Sequence, residues 1–322
     1  MKIIFQKDYL PLLIVILICI GLAMIVPASN HNFYIIGLLT SACLWVVYVV
    51  SWDLLGGYTG MISFGQMLFA GVAAYTVALI ELNLSVARPI IIIAGLIAGT
   101  CSSLLIGLPS LRVRAAYFAL VSFVLPLVFY RITISFVSVF GGDYGLSIAR
   151  VFSRETLYYW SIILMATTLV TMRLVTKSVI GKALQSIRED EDTARAIGID
   201  IARYKLLACV VSAFFTSFAG ICSFYYMGHI GPGIFGMMGS FDVVIMAIIG
   251  GAGTIYGAAL GGWTLSVLLE IMRPVAEYRN ILYAIFLVAV IMLAPRGAWG
   301  SIAFFLRERR REKALTAQVG GK

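Results

Sequence analysis

About eight long apolar runs follow one another along this chain of 322 residues and constrain its fold more than any other feature. A helix needs about 20 mostly apolar residues to cross a bilayer. Only 12% of the residues are charged, against about 25% in a soluble domain. The sequence therefore predicts an all-α, polytopic integral membrane helix bundle, surrounded by membrane lipid. The expected spans are 10–27, 33–52, 60–80, 89–108, 116–139, 157–175, 204–226 and 278–294.

The stretch 241–270 is also apolar, but its glycines distinguish it from a simple span. About 30 residues are too few for two full spans, and the centre reads IIGGAGTIYGAALGG. Non-helical backbone at membrane depth is tolerated only where protein or a water-filled cavity surrounds it. We therefore expect a broken or re-entrant hairpin with its tip near Gly250–Gly257, in addition to about eight full spans.

The net charge is +9, and the Lys and Arg residues cluster in one loop, 173–205, and in the tail after Pro295. Cytoplasmic segments of membrane proteins carry an excess of Lys and Arg, which explains this charge without a nucleic acid partner. We expect both termini and the loop to be cytoplasmic, so that 241–270 begins and ends outside. The expected organisation is one transmembrane domain over 1–305 and a basic tail over 306–322. The first run could also be a signal peptide, although its length favours a span.

Two segments combine a glycine pair with apolar neighbours: LLGGYTG from Leu54 to Gly60, and IIGGAGT from Ile248 to Thr254. Two such interrupted segments indicate a transport site between pseudo-repeats. Glycines also permit close helix packing, and both interpretations stay open. The candidate substrate-pathway residues are Asp53, Gly56, Gly57, Tyr58, Ser63, Gln66, Arg131, Gly250, Gly251, Gly253 and Thr254.

Arg131 is the one basic residue deep in a predicted span. A charge in lipid costs several kcal/mol unless it is paired or hydrated. It could face into the bundle and meet a substrate carboxylate, or pair with another subunit, or extend to the membrane surface.

Motifs for chemistry are missing from the chain. It has no G-x-x-x-x-G-K-[ST] phosphate loop, no H-E-x-x-H and no G-x-S-x-G. Its five cysteines fall in apolar runs without a CxxC, and its two histidines are far apart. We expect a transport subunit rather than an enzyme, with no catalytic residue, cofactor or metal.

The loop between the sixth and seventh runs has a pattern of its own. Ala183, Ile187, Ala194 and Ile197 can share one helical stripe, acidic residues cluster over 189–192, and Gly198 follows. This pattern is typical of a small docking element, although a solvated loop would look similar.

Four motifs in order along the chain resemble the permeases of branched-chain amino acid ABC transporters. They are GKALQSIREDEDTARAIGIDIARYK (181–205), LLGGYTGMISFGQMLFAGVAAY (54–75), FGGDYGL (140–146) and IIGGAGTIYGAALGG (248–262). The resemblance covers about residues 50–295. It implies the transmembrane subunit of an ATP-driven importer in a bacterial or archaeal cytoplasmic membrane, in which bundles rock around a central passage in alternating access.

The same resemblance implies partners: ABC ATPase subunits, a second homologous permease subunit, and a periplasmic or lipid-anchored substrate-binding protein. It also makes 176–205 the coupling loop that docks on an ATPase. The coupling residues it implies are Gly181, Ala183, Ile187, Arg188, Glu189, Asp190, Ala194 and Gly198.

Departures from the family pattern leave the substrate open. Asp53 replaces an Asn of the family pattern, Gln66 a His, Met61 a Gln and Asp143 a Pro. Val128 occupies a position where the family usually has an acidic residue. The solute could be a branched-chain or another amino acid, urea, or a different small polar metabolite. The rival interpretation is a stand-alone secondary transporter or channel, with Arg131, Asp53, Asp242 and Glu270 as its only candidate membrane charges.

Overall fold

A computed structural model describes residues 33–110 and 115–272, together with the single position 21. By length and composition, six of its helices could cross a membrane. They are α1 (Phe33–Asp53), α2 (Gln66–Asn83), α3 (Arg88–Ser110), α4 (Ala115–Ser135), α6 (Arg154–Lys177) and α9 (Ile201–Met227). These match six of the predicted runs, whereas the runs 10–27 and 278–294 lie outside the described residues.

Five shorter helices complete the described part of the chain. They are α5 (Val137–Phe140), α7 (Val179–Glu189), α8 (Glu191–Ala196), α10 (Met237–Gly250) and α11 (Ile255–Ile271). The fifth predicted run, 116–139, is divided at Phe136 between α4 and α5, because that residue leaves the helical conformation.

Helix α1 lies at the centre of the bundle, in contact with α6, α9, α10 and α11. Its residues from Val46 to Asp53 are all buried. A helix that is apolar around its whole circumference is expected in this central position. The position matters because α1 leads directly into the first glycine-rich segment.

Small residues bring the shorter helices close together. A Cβ atom on Gly250 of α10 would collide with the carbonyl of Gly257 in α11, and one on Gly261 would collide with the carbonyl of Met246. Similarly, a Cβ on Gly220 of α9 would lie 2.5 Å from the carbonyl oxygen of Ala70. The packing interpretation of the glycine pattern is therefore confirmed for the hairpin.

A small two-stranded antiparallel sheet lies at the end of the bundle opposite α7. Strand β1 (Leu146–Ser147) pairs with β2 (His229–Ile230), and Leu146 stands opposite Ile230. The Ser147 hydroxyl and the His229 Nδ1 atom are 2.9 Å apart. The sheet ties the segment after α5 to the segment after α9.

Candidate functional site

The first glycine break, residues 54–65, interrupts the helical path between α1 and α2. The chain continues from α1 as a π-helix over Leu54–Tyr58 and is then non-helical up to Gly65. Sequence analysis expected this span to begin at 60, but α2 begins only at Gln66. Side chains stabilise the irregular backbone: the Trp52 indole donates to the Ser63 carbonyl at 2.6 Å. The Phe64 N–H donates to the Ser122 hydroxyl at 3.0 Å.

Gln66 and Ser63 hold this break in place. The Gln66 amide donates to the hydroxyls of Ser212, at 3.1 Å, and Thr216. The Ser212 hydroxyl in turn donates to the Ser51 carbonyl at 2.7 Å. The Ser63 hydroxyl accepts from the Gly65 N–H. These buried polar groups satisfy one another, which indicates a structural role for two residues predicted to line the pathway.

The second glycine break, residues 251–254, separates α10 from α11. Gly251 and Gly253 have φ angles of 117° and 81°, which disfavour residues with a side chain. The Thr254 hydroxyl donates to the Gly251 carbonyl at 2.6 Å and closes the turn. A broken hairpin with its tip between Gly250 and Gly257 is therefore confirmed.

The two breaks meet at one point, which we call the glycine node and define as Asp53, Gly57, Arg188 and Gly253. The Asp53 Oδ1 atom accepts the backbone N–H of Gly253 at 2.6 Å. A Cβ atom on Gly57 would collide with both the Asp53 carboxylate and the Gly253 nitrogen. Gly57 is therefore required for the close approach of the two breaks.

Arg188 joins the node from helix α7. Its guanidinium donates to the Gly57 carbonyl oxygen, and its Nη1 atom is 2.8 Å from where a Cβ of Gly253 would lie. Its aliphatic part lies against Gly60, where a Cβ would be 3.2 Å from the Arg188 Cγ atom. One side chain of the predicted coupling loop thus contacts both glycine breaks.

Asp53 is fully buried, and its second oxygen, Oδ2, has no hydrogen-bond partner. Arg188 supplies an opposite charge near it. A buried carboxylate is costly unless it is paired, so Asp53 depends on Gly253 and Arg188 remaining in place.

Capping side chains define the helices of the coupling loop. Ser178 accepts the Ile180 N–H at 3.2 Å at the start of α7, and Asp190 accepts the Thr193 N–H at 2.7 Å at the start of α8. The hydrogen bond from Thr193 lowers the pKa of Asp190 below its ordinary value. Gly198, with a φ of 84°, ends this pair of short helices.

The apolar stripe of the loop packs inward. Ala183, Ile187 and Ala194 are 6%, 2% and 1% exposed, and Ile187 and Ala194 contact Ile201 of α9. At Gly181 a Cβ would collide with the Thr176 backbone. The expectation that the stripe faces a partner is therefore corrected: burying it against its own chain removes it from water. The exposed face carries Lys182, Gln185, Arg188, Glu189, Asp190, Asp192, Arg195 and Ile197, so Ile197 is the one member of the predicted stripe that does not pack inward.

The remaining predicted residues lie around or away from the node. Gly56 packs against the Trp52 ring, and Tyr58 is buried beside Thr176. Arg131 is not brought to the site: it is exposed on the surface of α4, beside Val128. The interpretation that Arg131 faces the interior of this chain is wrong, because the turn of α4 places it on the outer face.

Sequence reasoning missed several supporting residues. Ser212 and Thr216, four residues apart on the apolar helix α9, form one polar face, and this spacing was the available signal. Lys205 is 3% exposed and is 2.6 Å from the Glu191 carboxylate, a pair that no local pattern indicated. Within 33–110 and 115–272, no group of three His, Cys, Asp or Glu side chains could hold a metal ion.

Comparison with known proteins gives one family. The model described as "Branched-chain amino acid transport system / permease component" matches residues 34–295. The LivM permease protein of the high-affinity branched-chain amino acid transport system of Escherichia coli is 26% identical over 299 residues, covering 81% of this chain and 69% of the relative. The Salmonella typhimurium LivM protein is 25% identical over 293 residues, covering 80% and 68%.

A more distant relative is similar over most of its length. The probable LivM permease protein of Methanocaldococcus jannaschii is 24% identical over 297 residues, covering 78% of this chain and 85% of the relative. No solved structure matches the chain. The matched range, 34–295, contains both glycine breaks and the coupling loop described above. The chain therefore belongs to the family of branched-chain amino acid ABC transporter permeases.

Proposed function

We propose that this permease is the transmembrane subunit of an ATP-driven importer that carries branched-chain or related amino acids. It binds no ATP itself, and separate ATPase subunits drive it through α7 and α8. A second homologous permease subunit completes the passage, and a periplasmic or lipid-anchored binding protein delivers the solute. The host membrane is the bacterial or archaeal cytoplasmic membrane, with the coupling loop, both termini and the tail over 306–322 on the cytoplasmic side.

The observation that carries this proposal is the contact of Arg188 with both glycine breaks. Helices α7 and α8 lie in the loop that is richest in Lys and Arg. The positive-inside rule assigns such a loop to the cytoplasmic side. A force on α7 reaches Gly57 and Gly253 through one side chain, without an intervening residue. A permease without a phosphate loop needs such a path in order to respond to ATP bound elsewhere.

The mechanism follows from the interactions of the node. With Arg188 on the Gly57 carbonyl and Asp53 on the Gly253 N–H, the two breaks are in contact and the α7 end of the bundle is closed. ATPase movement displaces α7 and with it the guanidinium, which leaves the buried Asp53 carboxylate uncompensated. The breaks then separate, and the passage opens toward the cytoplasm in alternating access.

The ATPase contact lies on the exposed, charged face of the loop rather than on its buried stripe. Lys182, Gln185, Glu189 and Arg195 are exposed there, and complementary charge sets the orientation of partners. Gly181, Ala183, Ile187, Ala194 and Gly198 support this face by shaping α7 and α8 against the bundle.

The alternative is a stand-alone secondary transporter or channel. Its strongest support is the unpartnered Oδ2 atom of Asp53, which could take part in ion or proton coupling. Such a transporter would work without ATPase subunits, and this separates the two hypotheses experimentally.

Arg188 variants test the proposal in the assembled transporter. Arg188→Ala should leave the ATPase bound and hydrolysing ATP while amino acid uptake falls at least tenfold, because hydrolysis no longer reaches the node. Arg203→Ala, at an exposed arginine near the start of α9 and outside the face proposed to contact the ATPase, should keep more than half of the uptake. Wild-type uptake by Arg188→Ala would refute coupling through this residue, and uptake without any ATPase would favour the alternative.

A further inference from the structure

A cavity of about 340 Å³ lies within the bundle, separate from the glycine node. Its walls are formed by α1, the last turns of α9 and the segment from β2 to the start of α10. Pockets that enclose small ligands have volumes of about 300 to 1,000 Å³, so this cavity is at the small end of that range. It has the size for one small solute.

The walls of the cavity are of two kinds. Leu44, Trp45, Phe224 and Ile234 give a continuous apolar surface. The lining residues that carry a polar side-chain group are Ser41, Tyr48, Ser223, Tyr226 and His229. A site with a mostly apolar lining and a few convergent polar groups suits a ligand with one apolar and one polar end.

Charges of both signs surround the Tyr226 side of the cavity. Arg150, Arg154 and Glu270 are close enough to act electrostatically on the Tyr226 hydroxyl. Since the field there contains positive and negative groups, it suits a zwitterion better than an ion of either sign alone.

The cavity and the glycine node both lie along helix α1. At about 1.5 Å per residue, Ser41 is about 12 Å and Tyr48 about 22 Å from Phe33, the first residue of α1. Asp53 follows Tyr48 after about 7.5 Å more. The cavity therefore lies beside the middle of the helix, and Asp53 of the node lies farther along the same helix, toward α7.

We propose that this cavity is a substrate site within the permease, which receives one amino acid between its release by the binding protein and the opening of the node. The apolar side chain of the amino acid lies against Leu44, Trp45 and Phe224, and its charged groups face Tyr48, Ser223 and Tyr226. The site makes the permease itself selective for side-chain size. This inference rests on the proposed function, because that function supplies the amino acid.

The test changes the size of the cavity in opposite directions and measures selectivity. The complete transporter is placed in proteoliposomes with saturating binding protein, and maximal uptake rates of leucine and valine are compared. Leu44→Ala enlarges the cavity and should raise the leucine-to-valine ratio, whereas Ser41→Leu fills it and should lower the ratio. One methylene in an apolar pocket changes selectivity by roughly 10- to 200-fold, and we expect at least a threefold shift in each direction at a transient site.

Matched controls separate the cavity from general loosening of the bundle. Leu260→Ala and Thr264→Leu make the same kinds of change at exposed positions of α11 and should leave the ratio at its wild-type value. Affinity of the binding protein for both amino acids is measured separately, so that any change belongs to the permease. Ser41 is partly exposed, so its variant tests the site even if Leu44→Ala fails to fold.

The outcomes distinguish this inference from the function on which it rests. Opposite shifts in the two cavity variants, with unchanged controls, would support the site. Wild-type ratios in both cavity variants, with uptake intact, would overturn the site and leave the proposed function standing. Equal shifts in Leu44→Ala and Leu260→Ala would also overturn it. A wild-type transporter that carries neither amino acid would overturn both proposals.

Discussion

The two glycine breaks both interrupt the helices of the bundle, but different interactions hold them in place. The first, 54–65, is long and is held by the side chains of Trp52 and Ser122, and Gln66, which follows it, is bound to Ser212 of α9. The second, 251–254, is a short turn that the Thr254 hydroxyl closes from within. Among the described residues, a side chain outside the hairpin hydrogen-bonds to this turn at one place, where Asp53 accepts the Gly253 N–H. Both place non-helical backbone inside a membrane protein, where protein groups must replace the missing helical hydrogen bonds.

The difference indicates which break moves. Displacing the first break would break several buried hydrogen bonds at once, each of which leaves a costly unsatisfied group. Displacing the second requires loss of the Asp53 contact and of the apolar packing of α10 against α11. We infer that the first break is fixed and the second is the mobile partner. Three predictions test this inference, from the largest expected effect to the smallest, and a fourth, outside both breaks, gives a baseline.

The largest effect is expected where the two breaks touch. Gly57→Ala places a Cβ into the Asp53 carboxylate and the Gly253 nitrogen, so the breaks cannot close and uptake should fall to background. Gly21→Ala, outside the cavity lining, adds the same atom where nothing lies within 4 Å and should keep near wild-type uptake. Uptake of labelled amino acid, normalised to inserted protein, measures both. Near-normal uptake in Gly57→Ala would show that the breaks need not meet.

The next effect concerns the hydrogen bond from the second break to Asp53. Asp53→Ala leaves the Gly253 N–H without its acceptor, which costs about 1–3 kcal/mol of unfolding free energy, and uptake should fall about tenfold or more. Asp53→Asn keeps the acceptor oxygen and should retain most of the stability. Thermal unfolding of the purified complex, with uptake on the same samples, checks this order. Equal behaviour of the two variants would assign Asp53 a role in charge rather than in holding Gly253.

A pair of smaller changes compares the breaks directly. Trp52→Phe removes the donor to the Ser63 carbonyl in the first break and should cost about 1–2 kcal/mol of stability. Thr254→Val removes the hydroxyl that closes the second break and should cost less than about 1 kcal/mol, while changing the ratio of ATP hydrolysed to amino acid imported. If Trp52→Phe changes that ratio and Thr254→Val does not, the first break is the mobile one and the second is fixed, contrary to our inference.

The smallest effect lies outside both breaks and serves as a baseline. The pKa of Asp190 is lowered in the folded state, so its cap contributes fully above the unfolded pKa near 4 and is lost as pH falls through the folded pKa. Amide exchange over 193–196, corrected for its intrinsic pH dependence, should therefore increase below about pH 4. The non-titrating Asp190→Asn should not show this increase. Identical pH profiles would mean that the ionised carboxylate does not hold α8.

The sequence predicted the helical membrane fold, six of the described spans within a few residues, and the break in the hairpin. These features depend on the length of apolar runs and on glycine, which act locally. The start of α2 was placed at 60 instead of 66, because the support of residues 59–65 comes from Trp52 and Ser122. Ser122 lies far away in sequence, and no local pattern contains it.

Composition alone determined that this chain lies in a membrane, since so few charges cannot keep so many apolar residues in water. Motif order alone indicated the permease family. Only the tertiary structure decided that the two glycine breaks touch, that Arg188 joins them and that the apolar stripe of α7 is buried. It also placed Arg131 on the outer surface of α4 rather than in the interior of the chain. The physical reason is that a helical period fixes which residues share a face, whereas packing against distant helices fixes what that face contacts.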